Sequence, residues 1–301
     1  MKLASYRDGS RDGQLVVVSR DLTQAHYASG IASRLQQVLE DWNFLAPQLQ
    51  TLYDELNAHR ARHAFPFDAA QCLAPLPRTH RWVSATAYPG AAGDPLVLEH
   101  GAGDAFAPPC GAWSPAADVS ALDCAAGLAV ITGDVAPGAL PEQAGEGVRL
   151  LMCALVLRSG RETLDAAFGP VAVTPDDLGD AWRGARAALT LQVLVRGRKL
   201  GLCETDAGMA HDFGGLIAQL ARHRGIAAGS VIGALPVRSP DAARGYCSLA
   251  DKRDAEARRD GAPTTDWLQP GDALHVEARM ADGERPLGAI TRELAAPPVA
   301  A

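Results

Sequence analysis

The order of apolar and polar positions along this chain predicts mostly β-strands. Short runs of Val, Leu and Ile, bounded by turn residues, are typical of strands with at least one buried face. Residues 15–18 form such a run after the turn signals Asp8-Gly9 and Asp12-Gly13, which predicts the second strand of an antiparallel unit. The pattern also predicts strands at 128–132, 171–173, 189–195 and 275–278, with an apolar segment at 148–157.

Helical spacing is confined to three regions. Between residues 31 and 56 apolar residues recur at steps of three and four, interrupted by Pro47, which predicts two short amphipathic helices. Residues 213–223 have the same spacing, with Asp212 placed to cap the helix. Residues 251–260 form a polar helix candidate.

Pro66, Pro75 and Pro77 mark an extended linker, and residues 89–115 are rich in Gly, Ala and Pro with little periodicity. We therefore expect a domain boundary near residue 80. The prediction is a small N-terminal domain at 1–80 and a mostly β main domain at 81–301.

Composition narrows the class of protein. The 301 residues are 48% hydrophobic and carry a formal net charge of -7, so a sizeable core is expected and a phosphate backbone is not the expected partner. The basic stretch 252–259 is interrupted by Asp254 and Glu256 and is typical of a solvated helix face. No apolar run has the length of a membrane span or signal peptide, and the six cysteines form no C-x-x-C pair. We expect a cytoplasmic protein with reduced thiols and no nucleic-acid or membrane partner.

Three stretches carry a resemblance to a known family. They are residues 1–21, Leu128-Ala-Val-Ile-Thr-Gly-Asp-Val and Gly245-Tyr-Cys-Ser-Leu-Ala-Asp-Lys-Arg. Shorter matches follow in family order, among them Phe65-Pro-Phe-Asp and Pro170-Val-Ala-Val-Thr-Pro. The chain resembles the bacterial fumarylacetoacetate hydrolase family over nearly its whole length.

The resemblance implies an α/β, mainly β fold, in which a mixed β-roll of the fumarylacetoacetase type follows a small N-terminal β/α domain. Family members cleave, decarboxylate or tautomerise acylpyruvate-type compounds. Carboxylates hold a magnesium or manganese ion that chelates the substrate and stabilises the developing enolate. Members commonly form dimers, so the resemblance also implies a homodimer.

The family's metal-binding residues do not carry over to this chain. Its two glutamates, in an E-x-E pattern before the strand that ends in Thr-Gly-Asp, correspond to Ala125 and Gly127, which offer no side-chain oxygen. A third ligand, an aspartate, has no counterpart in 150–158. The family's lysine falls near Thr163. We therefore expect no metal and no other cofactor.

Other family features are also altered. The histidine-containing lid segment is expected to be deleted, because residues 87–95 run almost directly into Glu99-His100. The Gly-Thr pair that contacts a substrate carboxylate is replaced around Leu235 and Pro236. Arg158 matches a family arginine, and with Leu235 and Pro236 it is predicted to line a pocket for a small anionic or keto-acid ligand.

Replacement sites remain open as hypotheses. His100 with Glu99 and Asp104 forms either a new acid/base cluster or a polar surface turn. A second cluster forms either a divalent-ion site or loop acids with a helix cap: Glu204, Asp206, His211 and Asp212. Cys124 and Cys153, near the former metal pocket by resemblance, are either nucleophiles or inert buried thiols.

Three functions follow from these patterns. The first is a non-catalytic family member, a pseudoenzyme that binds a small ligand or a partner, as a homodimer or in a heteromer with an active paralogue. The second is a metal-independent isomerase, lyase or cyclase acting on a keto acid or β-dicarbonyl compound. In the third, Asp118, Asp123 or Asp165 rebuilds a metal site. Metal-dependent hydrolysis of the usual family type is not expected.

Overall fold

A computed structural model describes residues 1–89, 95–115, 119–160 and 162–296. The helices in these residues are α1 (Leu35–Glu40), α2 (Trp42–Asn57), α3 (Pro141–Glu146), α4 (Phe213–Ala221) and α5 (Leu249–Asp260). The first nine strands are β1 (Lys2–Tyr6), β2 (Gln14–Val18), β3 (Gln24–Tyr27), β4 (Phe65–Pro66), β5 (Trp82–Ala85), β6 (Leu98–Gly101), β7 (Cys110–Trp113), β8 (Leu122–Thr132) and β9 (Val148–Ser159). The others are β10 (Glu162–Phe168), β11 (Ala172–Val173), β12 (Trp182–Arg183), β13 (Arg186–Ala187), β14 (Thr190–Val195), β15 (Arg198–Glu204), β16 (Val231–Ala234), β17 (Ala273–Arg279) and β18 (Ala289–Leu294). Short 3-10 turns lie at Ala69–Gln71, Pro175–Ala181 and Ala242–Arg244.

Two sheets carry the fold. Within the described residues, an 11-stranded sheet has the order β4-β3-β2-β1-β11-β9-β8-β16-β5-β6, and β10 pairs with β9 beside this path. A 5-stranded sheet has the order β15-β14-β17-β18-β7. Most pairs are antiparallel, but β16 with β5 and β18 with β7 are parallel. The predicted mainly β, mixed fold is confirmed.

Strand β8 lies at the centre of the large sheet, and every one of its residues is buried. Its alternate side chains enter two different apolar cores, because successive residues of a strand point to opposite faces. Cys124 and Leu128 belong to the core that also contains residues of the 5-stranded sheet. Ala125 and Ala129 belong to the core that also contains residues of α1 and α2. A strand buried on both faces has a continuous apolar sequence rather than an alternating one.

The predicted helices are confirmed with one correction. The break between the first two helices lies at Asp41 and not at Pro47, which is inside α2. Asp212 caps α4 as predicted, because its carboxylate accepts a hydrogen bond of 2.8 Å from the amide of Gly215. Strands β6 and β7 lie in the Gly-, Ala- and Pro-rich region where no element was predicted.

The N-terminal strands continue the large sheet. Strand β1 pairs antiparallel with β11, with Leu3 opposite Ala172. Backbone hydrogen bonds therefore join the first strands of the chain to the main sheet, and the boundary near residue 80 stays a prediction. Among the described residues no helix combines the length and apolar character needed to cross a membrane.

Candidate functional site

Four of the positions that the sequence singled out lie on one face of three neighbouring strands. Directly opposed residues of antiparallel strands point to the same side of a sheet. Asp123 of β8 is opposite Arg158 of β9, which is in turn opposite Thr163 of β10. Ala125 lies two residues from Asp123 along β8 and therefore shares its face. The structure thus brings these sequence-predicted positions together.

Gly127 continues the same face and has no room for a larger side chain. A Cβ atom on Gly127 would lie 2.2 Å from the carbonyl oxygen of Ala234 and 2.7 Å from Cβ of Leu235. Leu235 is 2% exposed, and Pro236 is also buried. At this position the backbone and side chains of residues 234–235 occupy the space into which a glutamate would extend.

The edge of β8 beside these positions is also covered by protein. The amide of Ala126 donates to the carbonyl of Cys247 at 2.8 Å, and the amide of Val237 donates to the carbonyl of Ala126 at 3.0 Å. Ala125 forms an isolated antiparallel bridge with Ser248. Ala125 itself is fully buried.

Three aromatic rings fill the adjacent part of this face. Phe168 lies opposite Ala154, which is opposite Gly127. The ring of Phe168 packs edge to face on Trp82 and Phe106, with centroid distances of 5.3 Å and 4.8 Å. A Cβ on Gly233 would lie 2.7 Å from the indole of Trp82, so glycine is needed there for the ring to fit. We call Trp82, Phe106 and Phe168 the aromatic cluster.

These residues do not fit a hard divalent cation. Magnesium and manganese prefer oxygen ligands, usually carboxylates. Ala125 and Gly127 have no oxygen in their side chains, and their surroundings are the aromatic cluster and Leu235. No catalytic step is therefore assigned to a metal ion at these positions.

Asp123 is the acidic residue on this face, and it is only 2% exposed. Its Oδ1 accepts hydrogen bonds from the amides of Leu249 and Ala250, at 2.8 Å and 3.2 Å, where α5 begins. Its Oδ2 lies 3.7 Å from Nη2 of Arg158. Burial raises the pKa of Asp123 to about 6, although the charge of Arg158 and the two amides oppose this.

The pair is incompletely hydrogen-bonded. Oδ2 of Asp123 and Nε of Arg158 are buried without a hydrogen-bond partner. Thr163, at the predicted lysine position, is half-buried in the same row. The pair offers one acid of near-neutral pKa and one cation.

The third hypothesis placed a metal among Asp118, Asp123 and Asp165. Asp118 lies outside the described residues. Asp123 and Asp165 are opposite consecutive residues of β9, Arg158 and Leu157, and therefore point to opposite faces of the sheet. Asp165 accepts a 2.5 Å hydrogen bond from the indole of Trp113, and burial raises its pKa. The structure does not bring these two carboxylates together.

The other candidate clusters are also dispersed. Glu99 and His100 are consecutive on β6, so their side chains point to opposite faces, and both His100 and Asp104 are exposed. Glu204 forms an ion pair of 2.5 Å with Arg244, while Asp212 caps α4. In the part of the chain that the structure describes, no three or more His, Cys, Asp or Glu side chains are arranged to hold a metal ion.

Cys124 and Cys153 lie on the face of the sheet opposite to Asp123 and Ala125, in the core shared with the second sheet. Burial raises the pKa of the Cys153 thiol to about 12 and that of Cys124 further. Both side chains are therefore thiols at neutral pH, and a thiol is a poor nucleophile.

Comparison with known proteins gives a consistent picture of the fold. Residues 1–78 match the family model of the fumarylacetoacetase N-terminal domain 2. No curated protein matches the sequence. The maleylpyruvate hydrolase of Sphingobium sp. SYK-6, solved with manganese(II) and pyruvate, has a similar structure, with a TM-score of 0.68 and 16% identity over 99% of this chain and 100% of that one.

Two further solved structures extend the likeness. The fumarylacetoacetate hydrolase of Exiguobacterium antarcticum has a TM-score of 0.66 at 19% identity, over 98% of this chain and 99% of its own. The 5-carboxymethyl-2-hydroxymuconate delta-isomerase of Mycobacterium smegmatis has a TM-score of 0.61 at 14% identity, over 99% and 100%. Likeness at such low identity shows a shared fold, which hosts both hydrolases and isomerases.

Proposed function

The chain has the fold of fumarylacetoacetate hydrolase family proteins, and from this premise we propose that it is a non-catalytic member of that group, a pseudoenzyme that acts as a binding subunit. The observation that carries the proposal is the packing at Gly127, where a Cβ would already lie 2.2 Å from the carbonyl oxygen of Ala234. A metal-binding carboxylate at this position would require the backbone at 234–235 to move.

The surroundings support the same conclusion. The aromatic cluster and Leu235 occupy the face on which the family's two glutamates would point, and they belong to one buried core. Refilling this space with apolar side chains increases packing and stability, whereas an open metal pocket reduces both. A binding role needs the fold but not the metal.

A metal and turnover assay tests the proposal. The purified protein is incubated with manganese(II), freed of excess metal and assayed for bound manganese and for hydrolysis of an acylpyruvate. The Sphingobium maleylpyruvate hydrolase, whose solved complex contains manganese(II) and pyruvate, serves as the positive control. We expect substoichiometric manganese and no metal-stimulated hydrolysis in this protein. One manganese per chain together with turnover would overturn the proposal.

The subunit role is tested on the protein isolated from its own host. Native mass spectrometry reports the subunit mass, the metal content and any retained small molecule. We expect a metal-free homodimer or a metal-free complex with an active paralogue. A retained divalent ion, at one per chain, would contradict the pseudoenzyme.

A metal-independent isomerase or lyase is the second candidate, and the Asp123–Arg158 pair favours it. A carboxyl group with a pKa of about 6 suits proton transfer near neutral pH, and the guanidinium suits a keto-acid carboxylate. Turnover of a β-keto acid in the presence of EDTA, lost in Asp123→Asn and kept in Asp165→Asn, would support this candidate over the first. Asp165 is a suitable control because it is a second largely buried carboxyl group, on the opposite face of the same sheet.

A further inference from the structure

A cavity lies between the tip of the β14–β15 hairpin, the first turn of α5 and the loop at 264–266. Its volume is about 430 Å³. Small-molecule sites in proteins have volumes of roughly 300 to 1,000 Å³. Val195, Leu200 and Leu249 give the cavity an apolar surface. We call it the hairpin cavity.

Positive side chains surround this apolar surface. Arg196, Arg198, Lys199 and Lys252 all line the hairpin cavity, and Asp266 is the acidic residue of the lining. The carboxylate of Asp272 neutralises Arg196, with both oxygens 2.7 Å from guanidinium nitrogens. The three remaining cations against Asp266 leave an excess of two positive charges, in a protein whose formal net charge is -7.

These cations have few partners of their own. In the part of the chain that the structure describes, Arg198 and Lys199 form no ion pair, and both are exposed. Nζ of Lys252 is 3.9 Å from Glu256, a long and weak contact. The amides at the start of α5 are already used by Asp123 and Ser248, so the positive charge of the cavity comes from side chains.

The framework that holds the cations is well defined. Arg196 and Gly197 have φ of 56° and 69°, as a two-residue hairpin turn requires, and the turn brings Arg198 and Lys199 to the start of β15. On the opposite wall, the carboxylate of Glu256 accepts hydrogen bonds of 2.8 Å from the amides of Thr264 and Thr265. The turn geometry and these hydrogen bonds therefore define the backbone on two sides of the cavity.

We propose that the hairpin cavity binds a small organic dianion. Arg198, Lys199 and Lys252 would meet its acidic groups, and its carbon skeleton would lie on Val195, Leu200 and Leu249. A guanidinium pairs with carboxylate or phosphate through two parallel hydrogen bonds, and an ammonium supplies a point charge. Dicarboxylates and phosphate monoesters share this chemistry. The inference does not depend on the function proposed above, because the cavity lies outside the face that holds Ala125 and Gly127.

Isothermal titration calorimetry at an ionic strength of about 0.15 M, where the Debye length is about 8 Å, tests the proposal with succinate and glycerol 3-phosphate as probes. We expect saturable binding of at least one probe, and the stronger one identifies the acidic group. The double variant Arg198→Gln/Lys199→Gln is expected to bind that probe roughly tenfold more weakly, as the loss of charged hydrogen bonds predicts. Asp266→Asn removes the negative charge at the cavity and is expected to bind it more tightly.

The control is Arg222→Gln/Arg224→Gln, which changes the net charge equally at exposed residues outside the cavity. It is expected to leave the affinity within a factor of about two of the wild type, since screening weakens distant charges. An equal loss in both double variants would show a general charge effect and overturn the proposal. So would the absence of saturable binding for both probes, or weaker binding by Asp266→Asn. Asp266→Asn is expected to raise the affinity and Arg198→Gln/Lys199→Gln to lower it. A general loss of folding would lower the affinity in both variants, so the two causes are distinguishable.

Discussion

At the scale of single residues, the family resemblance predicts that Ala125 and Gly127 stand where the family has glutamates, but the sequence gives no information on what surrounds them. The register of β8 and β9 shows that both residues lie in the centre of the sheet. The contact that decides whether a larger side chain fits is made by Ala234 and Leu235, more than a hundred positions away along the chain. Local patterns carry no signal for such a contact. Trp82, Phe106 and Phe168 went unnoticed for the same reason, since they are far apart in sequence and form a cluster only after folding.

The packing at Gly127 leads to a stability prediction. Gly127→Ala should lower the free energy of unfolding by about 1–3 kcal/mol, because the added Cβ must displace the backbone of residue 234. The midpoint of urea unfolding measures this loss. Gly30→Ala is the matched control, since a Cβ on Gly30 meets nothing within 4 Å, and it should change stability by less than about 0.5 kcal/mol. Equal stability of the two variants would mean that the region around Gly127 has room for a side chain, and would weaken the case against a metal ligand there.

At the scale of elements, the strongly apolar segments were predicted and the weakly patterned ones were not. The predicted strand at 128–132 begins six residues earlier, at Leu122. The sequence Asp123-Cys-Ala-Ala-Gly has little intrinsic strand preference, yet the ladder with β9 continues through all of it. Strands β6 and β7 likewise depend on pairing with β5 and β18. Where the local sequence has no clear preference, pairing with a neighbouring strand therefore determines that a strand forms.

The carboxyl group of Asp123 in β8, which accepts hydrogen bonds from the first amides of α5, leads to a pH prediction. Burial holds the folded-state pKa of Asp123 at about 6, above its ordinary value of 3.8. At a pH between these two values the native chain keeps a proton that the unfolded chain releases. The free energy of unfolding should therefore fall as the pH rises through this window, and Asp123→Asn should abolish that fall. Between about pH 4.5 and 7.5 the stability of the variant relative to the wild type should rise by about 2 kcal/mol.

Urea unfolding of both proteins across this pH range measures the difference, in which the contributions of all other groups cancel. Asp180→Asn serves as the control, because the side chain of Asp180 is 96% exposed. Its stability relative to the wild type should stay nearly constant with pH. Parallel curves for Asp123→Asn and the wild type would show that Asp123 keeps an ordinary pKa, and would remove the support for its role as a near-neutral acid.

At the scale of the whole molecule, a buried polar network joins the N-terminal part of the chain to the main sheet. The hydroxyl of Tyr53, in α2, donates a 2.7 Å hydrogen bond to Asp177, in the 3-10 turn after β11. Nζ of Lys2, in β1, lies 3.2 Å from the same carboxylate. Burial opposes ionisation of Asp177, but the charge of Lys2 and these hydrogen bonds hold its pKa below the usual range. With the β1–β11 pairing, this network favours a single cooperative unit over two independent domains divided near residue 80.

Tyr53→Phe tests that cooperativity. Loss of a hydrogen bond to a buried carboxylate should lower stability by about 1.5–3 kcal/mol. Pulsed thiol labelling across a urea series, read by mass spectrometry, reports Cys72 for the N-terminal part and Cys124 and Cys153 for the main sheet, all of which are buried in the native protein. If the chain unfolds as one unit, the variant shifts the labelling midpoints of all three cysteines equally. Tyr27→Phe, at a ring that is 42% exposed, should leave them unchanged. Labelling of Cys72 at a lower urea concentration than Cys124 and Cys153 would instead show that residues 1–80 unfold separately. The continuous sheet would then consist of two domains of different stability.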